Sequence, residues 1–386
     1  MRRRLLALGL LLAPLTLAVV LRSGLDRYAD RMLNRVVAAG PPAADPSSRR
    51  LHNSLVVADL HADTLLWSRG LAWRADRGQV DLPRLVQGNV ALQVFGVVTS
   101  TPFPQTMTTN VDLLDTAALL AFAHGWPAST WFSPLGRALA QARQLVDATQ
   151  GTELRVVKTR AELEEVLAAR AAGSPVVGAL LGTEGAYPLE GQVENLLSLY
   201  AEGFRLLGIS HFTDNAVAGS AHGWSRGGLT QLGRVVVARA DEMGFTLDLA
   251  HASPAAFDQA LALSHHPVVV SHTGVQATCP GPRNLTDEQL RAVARTGGVV
   301  GIALFEGAVC GTDVAATVSA MEHALRVAGP DHVGLGSDFD GAVTTPIDAA
   351  GWVEVTHALR ARGHPDDVVA RVMGGNVLRV LRANLR

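Results

Sequence analysis

The chain has 386 residues, 48% of them hydrophobic and 18% charged, with a formal net charge of −2. That length holds one large domain or two ordinary ones and supplies a sizeable core. The balanced charge, with no basic stripe, sets nucleic-acid partners aside.

The amino terminus reads MRRRLLALGLLLAPLTLAVVLRSG. Three arginines precede an apolar stretch from Leu5 to Leu21, the pattern of a secretory signal or of a single membrane anchor. The stretch is long for the apolar region of a signal and just long enough to span a bilayer. No small-x-small cleavage site follows it, since Val20-Leu21-Arg22-Ser23 fits poorly, and there is no lipobox cysteine. The reading adopted is a signal-anchor over residues 1–24. Arg2 to Arg4 then stay in the cytoplasm, and the rest of the chain is exported, periplasmic or extracellular. The alternative is a chain secreted after signal cleavage. Residues 25–50 end in AAGPPAADPSSRR and read as a juxtamembrane linker, which leaves 51–386 as the globular domain. Cys279 and Cys310 lie in the exported part, where an oxidising compartment permits a disulfide.

From Leu51 onward short apolar runs alternate with amphipathic stretches. The runs are SLVVADLHAD, VALQVFGVV, PVVGALLGTEG, FRLLGISHF, FTLDLAHAS, PVVVSHTG, GGVVGIALF and HVGLGSDFDG. Stretches such as TRAELEEVLAARAAG and TDEQLRAVARTGG open on Thr and close on Gly, as helices do. The alternation predicts an α/β fold with a parallel sheet, and eight strands predict a (β/α)8 TIM-like barrel. An open doubly wound sheet is the alternative, but no glycine-rich phosphate loop follows the first run. Residues 101–150 are irregular and read as an insertion of loops and helices.

Polar residues gather at the ends of these runs. His61 and Asp63 end the first, Glu184 the third, His211 the fourth, His251 the fifth, His272 the sixth and Asp338 the eighth. Barrel active sites form at the C-terminal ends of the strands, so six of the eight runs deliver a metal-capable or acid/base side chain to one rim. His61 and Asp63 are two apart and share a strand face. Asp248 has the opposite parity to His251 and reads as structural. His265, His266 and His332 precede their runs and belong to the other rim, whereas His222 follows the fourth run on the site's rim. Imidazole and carboxylate without thiolate suit Zn²⁺, with Mn²⁺, Co²⁺ or Fe²⁺ compatible. Five candidate ligands exceed the three protein ligands of one catalytic zinc. They suit two metals sharing a carboxylate and a water.

DLHADTL, LLGTEG, LLGISHFTDN, LDLAHAS, VVVSHTG, PRNLTDEQL, VGLGSDFDG and GGNVLRVL, in this order, resemble the membrane dipeptidases, the renal-dipeptidase-like family of metal-dependent hydrolase barrels, over roughly residues 51–384. The segment FTDNAVAGSAHG resembles bacterial members more than animal ones. Many barrels of this superfamily open with His-x-His and bridge their metals with a carboxylated lysine. Here the first motif is His-x-Asp, and the single lysine, Lys158, precedes a capping-box start at Thr159, so Glu184 is the natural bridge. The resemblance implies that His61 and Asp63 hold one zinc, that His251 and His272 hold the other, and that Glu184 bridges both. It implies that His211 binds substrate near the scissile carbonyl and helps to stabilise the oxyanion. Arg283 would bind the dipeptide carboxylate, and Asp338 would be the catalytic acid/base, with Asp340 of equal parity close by. The implied reaction is zinc-dependent dipeptide hydrolysis by a metal-bridging hydroxide, which releases free amino acids. The resemblance also implies a Cys279–Cys310 disulfide, and a homodimer is frequent in the family. Other hydrolases that use such a binuclear site, namely a lactonase, a phosphotriesterase or an N-acyl-amino-acid deacylase, are the alternative reading.

Overall fold

The computed structural model describes residues 24, 26–37 and 44–386; the stretch Leu5–Leu21 lies outside them. Nine strands form one all-parallel sheet: β1 (Val57–Ala62), β2 (Val90–Val98), β3 (Leu154–Val156), β4 (Val177–Glu184), β5 (Phe204–Gly208), β6 (Thr246–Asp248), β7 (Val269–Thr273), β8 (Val299–Ile302) and β9 (Val333–Leu335). Their order is β2-β1-β9-β8-β7-β6-β5-β4-β3, and a further β2–β4 pairing closes eight of them into a barrel. The eight runs read from the sequence are those eight strands. The extra strand, β3, pairs outside the ring with the start of β4, Leu154 opposite Val177. At three residues it carries too short an alternation to stand out in the sequence.

Every residue of β1, β2 and β4 is buried, as expected of strands covered on both faces. Ala58, Leu60, Leu92 and Val94 share one apolar cluster with Leu163 and Val166 of helix Arg160–Ala171 and with Val377, Leu378, Val380 and Leu381 of helix Asn376–Asn384. Each such buried Leu or Val contributes roughly 1.5–3 kcal/mol. The alternate residues Asp59 and His61 share the other face of β1. Asp59 is fully buried and accepts hydrogen bonds from Ser337 N at 2.9 Å, Ser337 Oγ at 2.6 Å and Gln93 Nε2 at 3.0 Å.

Side-chain caps set where the helices start. Ser133 accepts from Gly136 N and Ser253 from Ala256 N. Thr159 and Glu162 form a full capping box that also binds Lys158 N, at 2.6 Å.

The stretch read as a linker carries packed elements among its described residues. Residues 26–33 are helical, and Asp26, Asp30 and Asn34 are buried. Val37 N donates to Thr345 O at 2.9 Å, and Thr345 N donates to Arg35 O at 3.0 Å. This amino-terminal strap lies over the connections that leave β1 and β9. Helix Pro46–Ser54 follows, with Asp45 as its cap. Among the described residues no helix is long and apolar enough to cross a membrane.

Candidate metal centre

His61 is on β1, Glu184 ends β4 and His272 is on β7. The other site residues lie just past the strands, a refinement of the reading that put them on the runs. Asp63 precedes the turn Thr64–Leu66. His211, His251 and Asp338 each come three residues after their strands end. His251 and Asp338 have φ of 61° and 62°, a left-handed conformation uncommon for non-glycine residues. The chain bends there, and the side chains fold over the rim instead of following the strand alternation. Such outliers cluster at functional sites.

The side chains converge on one atom. Glu184 Oε1 lies 3.1 Å from His251 Nε2, 3.3 Å from His272 Nε2, 3.3 Å from His211 Nε2 and 3.7 Å from His61 Nε2. His61 Nε2 lies 3.2 Å from Asp63 Oδ1, and His251 Nε2 lies 3.0 Å from His272 Nε2. The ligand atoms of His61, Asp63 and Glu184, those of Glu184, His211 and His251, and those of His61, His272 and Asp338 fall within 4.8 Å of one another in each group. All seven side chains are buried. The backbone leaves room for this crowding. A Cβ on Gly96 would stand 2.5 Å from both Asp63 Oδ1 and His61 Cε1, and one on Gly341 would stand 2.4 Å from Asp338 Oδ1.

This packing fits a divalent cation better than a hydrogen-bond network. Four imidazole nitrogens around one carboxylate oxygen exceed what its lone pairs accept. His61 Nε2, Asp63 Oδ1 and Glu184 Oε2 have no hydrogen-bond partner although buried, which is costly unless something else binds them. Burial lowers His61, but the charges of Asp63 and Glu184 overcome it and push that ring well above the usual imidazole range; a cation bound there would take the place of that proton. Burial pushes Asp63 up to about 7, with the Glu184 charge reinforcing it. Burial also holds Asp338 well above the usual carboxylate range; the His61 charge opposes this, and the charges of Asp63 and Glu184 reinforce it. Burial keeps His251 and His272 well below the usual imidazole range, hence neutral and able to ligate. A buried cation removes the like-charge conflict among the carboxylates.

Several supports were not legible in the sequence. Ser271 Oγ lies 2.8 Å from His272 Nδ1 and 3.4 Å from His61 Nδ1, and so serves two rings. His211 Nδ1 lies 3.2 Å from the Ser100 carbonyl, which leaves Nε2 as the free nitrogen. Asp248 accepts from Ser271 N at 2.8 Å and from Ala250 N at 3.0 Å, a backbone brace under the site. Backbone partners of this kind carry no sequence signature. Arg283 is buried in the loop after β7 and donates to the carbonyl of His272. Cys279 and Cys310 are bonded, tying that loop to the loop after β8.

Asp338 and Asp340 separate cleanly. Asp338 lines the cavity over the cluster. Asp340 faces away: Thr64 Oγ1 donates to it at 2.8 Å and Gln79 N at 2.7 Å, and it pairs with Arg69. His222 is fully buried, holds the Met107 carbonyl through Nδ1 at 2.8 Å and stacks on Phe212; it is not among the converging ligands. His265 and His266 pair with Asp241, and His332 holds Gly298 O. Lys158 sits at the capping box, away from the cluster. The cavity measures about 230 Å³. Asp63, Glu184, His211, His251, Arg283 and Asp338 form its polar side, and Val98, Met107, Phe212 and Phe305 form an apolar wall.

Residues 46–385 match the family model for membrane dipeptidase, peptidase family M19. An uncharacterized protein in the pqqA 5′ region of Klebsiella pneumoniae is 32% identical over 264 residues, 64% of this chain and 95% of that protein. The dipeptidase aclJ of Aspergillus oryzae is 34% identical over 215 residues, 53% of this chain and 51% of that protein. A metallo peptidase from Rhodobacter sphaeroides, solved with a phosphinate mimic of the dipeptide L-Ala-D-Ala, superposes with a TM-score of 0.68 at 26% identity, covering 86% of this chain and 99% of that one. With the family match spanning the barrel and its cluster of ligands, the chain belongs to the membrane dipeptidase family, peptidase family M19, and is a metallo-dipeptidase.

Proposed function

We propose that the chain hydrolyses small dipeptides at a pair of zinc ions, the first held by His61 and Asp63, the second by His251 and His272, with Glu184 shared between them. The convergence of four imidazole nitrogens on Glu184 Oε1 carries this reading. Ions held by these residues would supply Lewis acidity and would lower the pKa of a coordinated water toward neutrality. Asp338, at the cavity wall, accepts the proton of the attacking water and returns it to the leaving amine. His211 stands beside Glu184; with Nδ1 turned to the Ser100 carbonyl, its Nε2 can donate to the scissile carbonyl oxygen only as the imidazolium, and the charge that develops on that oxygen would favour this protonated form. Arg283 offers a planar fork to the C-terminal carboxylate. A cavity of about 230 Å³ suits a small substrate such as a dipeptide. The dipeptide mimic bound by the Rhodobacter sphaeroides relative supports the same substrate class.

Metal content of the purified full chain tests this, paired with hydrolysis of L-Xaa–L-Xaa and L-Xaa–D-Xaa dipeptides before and after chelation. About two zinc per chain and release of amino acids that chelator abolishes and zinc restores are expected. Two metals with cleavage of lactones, phosphotriesters or acyl-amino acids in place of dipeptides would overturn the substrate assignment and leave the centre standing. Arg283→Met should lower kcat/KM for dipeptides roughly 10- to 100-fold, the worth of a charge-assisted hydrogen bond, and leave a neutral ester substrate nearly unaffected. Equal losses on both would mean that Arg283 only props up the backbone of His272.

We further propose that Leu5–Leu21 remains as a membrane anchor and that the barrel is exported. The bonded Cys279–Cys310 pair supports an oxidising compartment.

A further inference from the structure

Three of the four imidazoles that face Glu184 have a partner for their second nitrogen. His272 Nδ1 lies 2.8 Å from Ser271 Oγ, His61 Nδ1 lies 3.4 Å from the same hydroxyl, and His211 Nδ1 lies 3.2 Å from the Ser100 carbonyl. His251 is the exception. Its Nε2 faces Glu184 and His272, and its Nδ1 is buried without a hydrogen-bond partner. A neutral imidazole that gives its Nε2 lone pair to a metal carries its proton on Nδ1. A ligating histidine ordinarily donates that N–H to a fixed acceptor, and a buried donor without one is costly. The complementary atom stands close by. His222 is fully buried, and its Nδ1 lies 2.8 Å from the Met107 carbonyl. A carbonyl only accepts, so neutral His222 holds its proton on Nδ1 and presents a lone pair at Nε2. That Nε2 is also buried without a partner. The centroids of the two rings are 5.3 Å apart, with 57° between their planes. The backbone fixes them as neighbours: Ser220 bridges to Ala252, and Ala221 N donates to His251 O at 2.7 Å. Phe212 stacks on the His222 ring at 4.8 Å and holds it from the side.

We propose that His222 is a positioning residue of the metal centre: its Nε2 accepts the Nδ1–H of His251, directly or through one bridging water, and so fixes the tautomer and the direction of that ligand. The inference rests on the reading that His251 holds one of the two ions. One buried donor and one buried acceptor, each otherwise unmatched and on adjacent rings, satisfy each other in this way. The spacing suits a small turn of either ring about its broad terminal torsion, or a single water between the two nitrogens. The line of support then runs from the Met107 carbonyl through His222 to His251. Asn110 reinforces its far end, donating from N and Nδ2 to His222 O at 2.7 and 3.3 Å. Met107 itself lines the catalytic cavity. The insertion after β2, which walls the cavity, and the metal ligand after β6 therefore share one buried ring as their common brace.

Zinc titration of the full chain against a competing chelator tests this. His222→Phe keeps a ring against Phe212 and removes both nitrogens. It should weaken one of the two bound ions roughly 10- to 100-fold, the usual effect of losing the partner of a ligating histidine, and leave the other nearly unchanged. His222→Gln keeps a donor and an acceptor on one planar group and should recover most of that loss. A folded Phe variant that binds both ions as tightly as the wild-type chain would overturn the inference and leave the two-ion centre standing. Equal losses in the two variants would reduce His222 to packing and overturn it as well. A wild-type chain that takes up no zinc would remove the centre and this inference together. The tautomer is read without any variant, by nitrogen-15 resonance of labelled histidines in the zinc-loaded chain. His222 should be protonated at Nδ1 and bare at Nε2, and His251 protonated at Nδ1. A proton on His222 Nε2 would overturn the inference whether or not the variants fold.

Discussion

Glu184→Gln should empty the metal centre and reduce dipeptide hydrolysis by on the order of 10³-fold or more. The substitution keeps the volume and removes the charge. Four imidazole nitrogens lie within 3.1–3.7 Å of Glu184 Oε1, and both proposed ions share this carboxylate. A carboxamide offers one neutral oxygen and a donor group that points at ligand nitrogens. Each ion is then left with one His–Asp or His–His pair, too few ligands for a closed site. Elemental analysis of the purified variant should give well under one metal per chain, while circular dichroism shows the barrel still folded. Two metals retained per chain would mean that Glu184 is not the bridge.

Arg69→Met should cost about 3–5 kcal/mol, the range for breaking a buried ion pair on one side. Arg69 is buried, pairs with Asp340 and binds both carboxylate oxygens of Asp30 through Nη1, at 2.7 and 2.9 Å. The charges of Asp340 and Asp30 hold its guanidinium protonated against the opposing effect of burial. Methionine fills the space and leaves two carboxylates in the interior, one of which keeps Arg77 at 2.9 Å. Against a total of roughly 5–15 kcal/mol for a folded domain, a loss of this size lowers the melting temperature by several degrees or more. Adding Asp340→Asn should recover part of it, because Asp340 is the carboxylate left without a cation and a neutral amide needs no counter-ion. A melting temperature unchanged by Arg69→Met would show that the strap does not contribute to the barrel's stability.

The strand–helix alternation and the gathering of candidate ligands at the run ends were legible because both follow from local rules. An apolar run of five to nine residues, a capping Thr or Ser and a polar residue at the rim can each be read without tertiary knowledge. The separation of Asp338 from Asp340 could not be read so. Their equal parity describes a strand, and both residues have positive φ at the turn that ends it. The strap was opaque for a similar reason. Its Asp26, Asp30 and Asn34 repeat every four residues, a helical face of polar side chains whose partners, His124, Arg69 and Ala342, lie far along the chain. A polar face of this kind looks solvated until its counter-ions are in place.

The ring closes where β1 meets β9, through Asp59 opposite Leu335 and the Ser337–Asp59 hydrogen bond between residues 278 positions apart. A chain made from its amino end therefore carries His61, Asp63 and Glu184 long before Asp338 and the wall of the cavity exist. Closing so long a loop comes late in folding. Half a centre in an open sheet is exposed to water and to competing ions, and it gains selectivity only when the last strand seals the ring. If the chain crosses the membrane unfolded, that sealing happens on the far side. The composition of that compartment's metal pool, rather than the cytoplasm's, then decides which ion the mature enzyme keeps.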